Sequence, residues 1–129
     1  MFNPLKSIIM KNYKKLIVWQ KAHALALLLY KATKDFPKAE QFNLTSQIRR
    51  AATSIPTNVA EGCGKFTQPD FANFLQTSLG SSNEVEYLIL LSHDLGYLKD
   101  DDSYKNLYSQ VNEVKAMLIS LIVKIRKNL

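Results

Sequence analysis

This sequence is poor in the residues that punctuate a chain. Its 129 residues include four glycines, four prolines, one cysteine, one tryptophan and two histidines. So few glycines and prolines leave little material for the tight turns of a strand-rich fold, and they favour long regular elements. The lone Cys63 excludes a disulfide within the chain and suits a reducing compartment, so a cytoplasmic location is expected. Two histidines and one cysteine are too few for the usual zinc ligand sets. Long apolar runs are missing as well. The uncharged stretch of the first apolar segment, Ala22 to Tyr30, falls short of the roughly 18–20 residues that span a bilayer, so no membrane association is expected. It follows Lys11, Lys14, Lys15 and Lys21, but His23 interrupts it and no small-residue cleavage site follows Tyr30. A secretory leader is therefore not expected.

What remains is rich in helical periodicity. Apolar residues are 47% and charged residues 22%, a globular composition, and the length suits one domain. Residues 1–15 read as a basic N-terminal arm and 16–129 as one helical unit. A first helix is expected over about 16–34, with Trp19, Ala22, Ala26, Leu29 and Thr33 recurring at 3,4 spacing and Phe36-Pro37 stopping it. The second, about 45–62, takes Thr45 as N-cap and places Ile48, Ala52, Ile55 and Val59 on one face. Pro56 should kink it, because proline lacks the N–H owed to Ala52, and Gly62 and Gly64 should end it.

The third helix, about 68–95, opens on Thr67 with Asp70, a capping-box variant, and closes at Gly96. The fourth, about 101–127, opens on Asp100, Asp101 and Asp102. It carries a heptad stripe of Leu107, Val111, Val114, Leu118, Leu121 and Ile125, and ends in Lys124, Arg126 and Lys127, which complement the helix dipole. Amphipathic helices with short connectors imply an all-α, antiparallel up-down-up-down four-helix bundle.

Three segments carry more apolar surface than one bundle can cover: Ala24 to Tyr30, Tyr87 to Leu91 and Leu118 to Val123. Their outer faces predict homo-oligomerisation. Gly80 and Ser81 lie mid-helix, where glycine costs about 1 kcal/mol relative to alanine. Close approach of another backbone, within the bundle or across a subunit boundary, would explain them.

No reaction is legible, and no cofactor or metal is implied. A di-iron bundle needs Glu-x-x-His pairs, but the residues three before His23 and His93 are Gln20 and Leu90. The Arg-x4–6-His spacing of helical-bundle ribonucleases is missing, and no glycine-rich phosphate loop is present. Cys63 has no histidine near it in sequence, and adjacent His93 and Asp94 point about 100° apart on a helix. The expectation is a non-enzymatic protein.

The charge balance points instead to an anionic partner. Seventeen Lys and Arg against eleven Asp and Glu give +6, a cue to RNA or DNA binding through counterion release. The candidates are Lys11, Lys14, Lys15, Arg49, Arg50 and Lys65. Tyr13 and Trp19 could stack on bases, although Trp19 falls on the core stripe and is expected to be buried. On a helical wheel Arg49 flanks the core beside Pro56 and Ala60. Arg50 faces away with Ser54, Thr57 and Glu61. Two readings of the pair stay open: ion pairs with Glu61, Glu84 or Glu86, or contact with phosphate. Trp19, Tyr30, Pro56, Glu61, Gly62, Gly80 and Ser81 are candidate structural or interface positions. The alternative to nucleic-acid binding is a structural or protein-interaction module.

An ordered set of short matches resembles a known family. The set runs Val18-Trp19-Gln20 with Ala22, Tyr30, Phe36-Pro37, Gln47, Arg49-Arg50-Ala51-Ala52 and Ser54-Ile55-Pro56. It continues with Asn58-Val59-Ala60-Glu61-Gly62, Phe71 through Leu75, Gly80-Ser81 and Leu95-Gly96-Tyr97-Leu98. Over about residues 15 to 125 the chain resembles the four-helix-bundle family of proteins encoded in intervening sequences of bacterial 23S ribosomal RNA genes. The accessory variability determinant proteins of diversity-generating retroelements are related to it. The resemblance implies a homopentamer. From the retroelement relatives it implies nucleic-acid binding and a reverse transcriptase partner through a basic surface. It implies no biochemical activity for the intervening-sequence relatives.

Overall fold

The computed structural model describes residues 12–128. Four helices carry the chain: α1 (Ile17–Ala32), α2 (Leu44–Cys63), α3 (Gln68–Asp94) and α4 (Asp101–Lys127), with short 3₁₀ turns at Tyr13–Lys15 and Lys38–Glu40. No strand occurs among the described residues. Each helix packs on its neighbours in sequence, most extensively α2 on α3, and α1 also meets α4. One apolar core results, a helical bundle centred on Leu25, Leu29, Ile48, Ile55, Leu75, Ile89, Val111 and Leu118, all fully buried. Burying each Leu or Ile contributes about 1.5–3 kcal/mol, so these stripes, rather than helix propensity, hold the helices together.

Local chemistry sets the helix ends. Thr67 Oγ1 accepts from the Asp70 amide at 3.2 Å and starts α3, with Pro69 in the first turn, where no N–H is owed. At its far end Gly96 adopts φ +81°, and the Tyr97 amide donates to the Ser92 carbonyl at 2.9 Å. This left-handed closure favours glycine. Asp100 Oδ1 accepts from the Asp102 amide and starts α4.

The start of α2 differs from the expectation. Its cap position is Asn43, and Thr45 lies inside the first turn, buried, its hydroxyl without a hydrogen-bond partner among the described residues. Burial of Leu44 draws the chain into the helix earlier than Thr45 could cap it. Of the two glycines expected to end the helix, Gly64 is its C-cap and Gly62 lies inside it. The helix runs through Pro56 and Gly62 to Cys63, and Gly62 is buried because Phe71 and Phe74 of α3 occupy the space a Cβ would need.

Two stripe positions shift as well. Trp19 is half-buried on the flank of α1 rather than in the core, stacked on His23 with centroids 5.0 Å apart and meeting Tyr13 edge-on at 4.9 Å. Val18 and Leu25 face inward instead. In α4, Ile122 is buried and Leu121 only half so, because a straight helix drifts against a strict heptad.

Candidate functional site

The arginine pair divides between two roles. Arg49 Nε donates to Thr33 Oγ1 at 2.9 Å, its Nη2 donates to the Tyr30 carbonyl at 3.3 Å, and its guanidinium lies 4.7 Å from the Tyr30 ring centroid. Thr33 in turn donates to the Leu29 carbonyl at 2.7 Å. Arg49 thus binds the carbonyl-rich C-terminus of α1, where a cation is favoured. It forms no ion pair with Glu61, Glu84 or Glu86. Glu86 is held instead by Lys115 at 2.6 Å, linking α3 to α4. Arg50 is exposed, and its side chain has no hydrogen-bond or ion-pair partner among the described residues. Ser54, expected on the same outward strip, turns to α3 and hydrogen-bonds Ser81 at 2.9 Å.

The remaining candidates fall into a pattern. Lys11 lies outside the described residues. Lys14 and Lys15 are exposed in the 3₁₀ turn before α1, and Gln20 Nε2 donates to the Lys14 carbonyl at 2.8 Å. Lys15 and Lys124 of α4 line one groove. Arg126 Nη2 donates to Gln76 Oε1 at 2.6 Å and to Asn73 Oδ1 at 3.4 Å on α3. Between those residues Phe74 carries Lys65, whose ammonium sits 4.8 Å from the ring centroid. The contacts gather Lys14, Lys15, Lys65, Lys124, Arg126 and Lys127 around one end of the molecule, against only Glu61 and Asp70.

The opposite end is balanced. Tyr97 Oη donates to Glu40 Oε2 at 2.9 Å there, and His93 Nε2 lies 3.5 Å from Asp101 while its ring stacks on Tyr104. Lys31, Lys34, Lys38, Arg49, Lys99 and Lys105 at this end meet Asp35, Glu40, Asp94, Asp100, Asp101 and Asp102. The middle is balanced too: Lys21 pairs with Glu113 at 3.0 Å, and Lys115 with Glu86. The net positive charge of the described residues therefore sits at one end. Sequence reasoning found Lys14, Lys15 and Lys65 of this set. It read the α4 cluster only as a dipole complement. The signal that could have joined them is helix direction, which brings the end of α4 beside the start of α1.

The structural or interface candidates differ in burial. Tyr30 is exposed under Arg49, Pro56 is buried in α2, and Glu61 is exposed beside the aromatic flank of α1. Gly80 is exposed, and nothing lies within 4 Å of a Cβ placed there, so close approach within the chain is not its reason. Cys63 is buried, and burial pushes its thiol up to about 11, which keeps it protonated at neutral pH. The hydrogen bond to Glu40, with burial and the Glu40 charge adding to it, raises Tyr97 above its ordinary range. Among the described residues no three His, Cys, Asp or Glu side chains converge as a metal set. No helix there is long and apolar enough to cross a membrane.

Comparison with known proteins gives matches of two kinds. The model of a family described as 23S rRNA-intervening sequence protein matches residues 14–120. The fold is similar to a crystal structure of a protein of unknown function from the S23 ribosomal protein family of Bacteroides thetaiotaomicron. The TM-score is 0.75 and the identity 28%, over 82% of this chain and 95% of that one. No curated protein matches the chain.

Proposed function

Because the chain belongs to the family of 23S rRNA-intervening sequence proteins, we propose that it is a non-enzymatic, self-assembling bundle that binds nucleic acid through its basic end. One observation carries this reading: six basic side chains gather at one end with two acidic ones, while the rest of the described surface is neutral. Such a patch attracts phosphate backbones by releasing condensed counterions, without needing base contacts. An up-down-up-down course is supported by the contacts of Arg126 with Asn73 and Gln76, and by the shared groove of Lys15 and Lys124. A lone buried Cys63 suits a reducing cytoplasm.

Self-assembly rests on apolar side chains left in water. Leu27 is 60% exposed, Tyr87 59% and Val123 57%, one from each segment whose pattern exceeds a single bundle. A second copy covering those faces would remove the exposure. The pentamer implied by the family resemblance is one closed arrangement, and a closed ring presents the same end of every copy. The exposed apolar faces also favour the alternative of a protein-interaction module with no nucleic-acid role.

One sample tests both parts. A mobility-shift titration with RNA and DNA should show binding at low salt that weakens steeply as salt rises, and sedimentation at micromolar concentration should show an assembly. Absence of binding at low salt removes the nucleic-acid role. A monomer removes the assembly.

A further inference from the structure

We infer that the groove between the first half of α2 and the middle of α3 holds one nucleotide of a single-stranded nucleic acid, its phosphate on Arg50 and its base on Phe42. The inference rests on the nucleic-acid reading above but concerns a surface away from the basic end. Among the described arginines, Arg49 is tied to Thr33 and Tyr30, and Arg126 to Gln76 and Asn73. Arg50 alone keeps its guanidinium donors unspent, on the wall of a groove of about 500 Å³. A guanidinium is a planar fork of N–H groups matched to phosphate oxygens.

The groove floor supplies further donors. Asn58 Nδ2 donates to Ser54 Oγ at 3.0 Å, and Ser54 Oγ lies 2.9 Å from Ser81 Oγ. Only one of the two hydroxyl hydrogens can lie between those oxygens. Whichever residue donates, the other hydroxyl keeps a hydrogen with no acceptor among the described residues. Ser46 and Gln47, also on the groove, have no side-chain hydrogen bond either. Beside the acceptor oxygens of Asn43, Gln47 and Glu84, the Arg50 guanidinium and the spare hydroxyl hydrogen offer donors to an oxyanion. The groove's one carboxylate, Glu84, disfavours a doubly charged phosphate monoester over a singly charged diester, and it can accept from an exocyclic amino group of a base.

Phe42 supplies the base platform. It lines the same groove at the entrance to α2 and is 90% exposed, so its ring faces are open. An open ring beside an arginine and hydroxyl donors matches how single strands are held, by stacking plus backbone charge. A duplex keeps its bases stacked and cannot use the ring.

The test compares Phe42→Ala and Arg50→Gln with wild type, using a single-stranded oligonucleotide and a duplex of equal length. Both positions are exposed, and circular dichroism checks that the helices persist. Phe42→Ala should weaken single-strand binding by about 5- to 100-fold at unchanged salt dependence and spare the duplex. Arg50→Gln should reduce the single-strand slope of log K against log salt by about 0.7, the share of one phosphate. Wild-type behaviour by both variants, with binding by wild type intact, overturns the groove and leaves the basic end standing. No binding by wild type overturns both. Altered sedimentation with binding unchanged makes the groove a subunit contact instead, and overturns the inference.

Discussion

At Gly62 a Cβ would lie 2.9 Å from both Phe71 Cδ1 and Phe74 Cβ, whereas at Gly80 it would meet nothing within 4 Å. Two glycines in helices, alike in sequence, therefore answer to different forces. Gly62→Ala should lower stability, because overpacking costs about 1–3 kcal/mol against a propensity gain near 1. Gly80→Ala should raise the stability of the fold by up to about 1 kcal/mol, and in the proposed assembly, with Gly80 at a subunit boundary, it should weaken association. Urea midpoints and sedimentation check both, and unchanged assembly would remove Gly80 from the boundary. Single positions were the least legible part of the sequence. A helical wheel assumes one buried direction, but α2 lies against both α1 and α3. Ser54 therefore turns inward to Ser81 where the wheel sends it to solvent, and Ser78 Oγ reaches the Ile55 carbonyl at 2.8 Å.

Helices were more legible, because their ends are written in local chemistry. Thr67 with Asp70, Asp100 with Asp102, and Gly96 act within a few residues and need no knowledge of the rest of the chain. Where the signal was tertiary, as at Leu44 and Gly62, the sequence misled. The connectors between helices carry their own ties: Tyr97 joins the turn after α3 to Glu40 at 2.9 Å, and its ring packs on Phe36 with centroids 5.5 Å apart. Folding raises the pKa of Tyr97 above 10.0 and that of Cys63 from 9.0 to about 11. In both cases the fold favours the neutral form, so the stability they contribute is fully present below the unfolded values. It is lost as pH climbs through the folded ones. Unfolding measured from pH 7 to about 11 should show wild type losing more stability above about pH 9 than a Tyr97→Phe, Cys63→Ala double variant. Equal losses would show that neither group is linked to folding.

On the scale of the molecule, the fold brings together charges that are far apart in sequence. Lys15, Lys65 and Lys124 come from three different segments; the packing of α1 on α4 sets Lys15 beside Lys124, and that of α2 on α3 sets Lys65 over Phe74 at the same end. Composition revealed an excess of positive charge but could not locate it, since location depends on helix direction and on which acidic residues lie nearby. For the proposed nucleic-acid binding, the position of the charge rather than its total should decide which surface is used. Two variants separate the alternatives: Lys124→Glu with Lys127→Glu at the basic end, and Lys34→Glu with Lys38→Glu at the balanced end. Each pair changes the net charge equally. The most direct measurement is the salt dependence of duplex binding for both, side by side with wild type. The basic-end pair should lose up to about 1.8 from the slope of log K against log salt, 0.9 for each phosphate contact removed, while the other pair keeps the wild-type slope. Equal losses in the two pairs, or a larger loss at the balanced end, would contradict it.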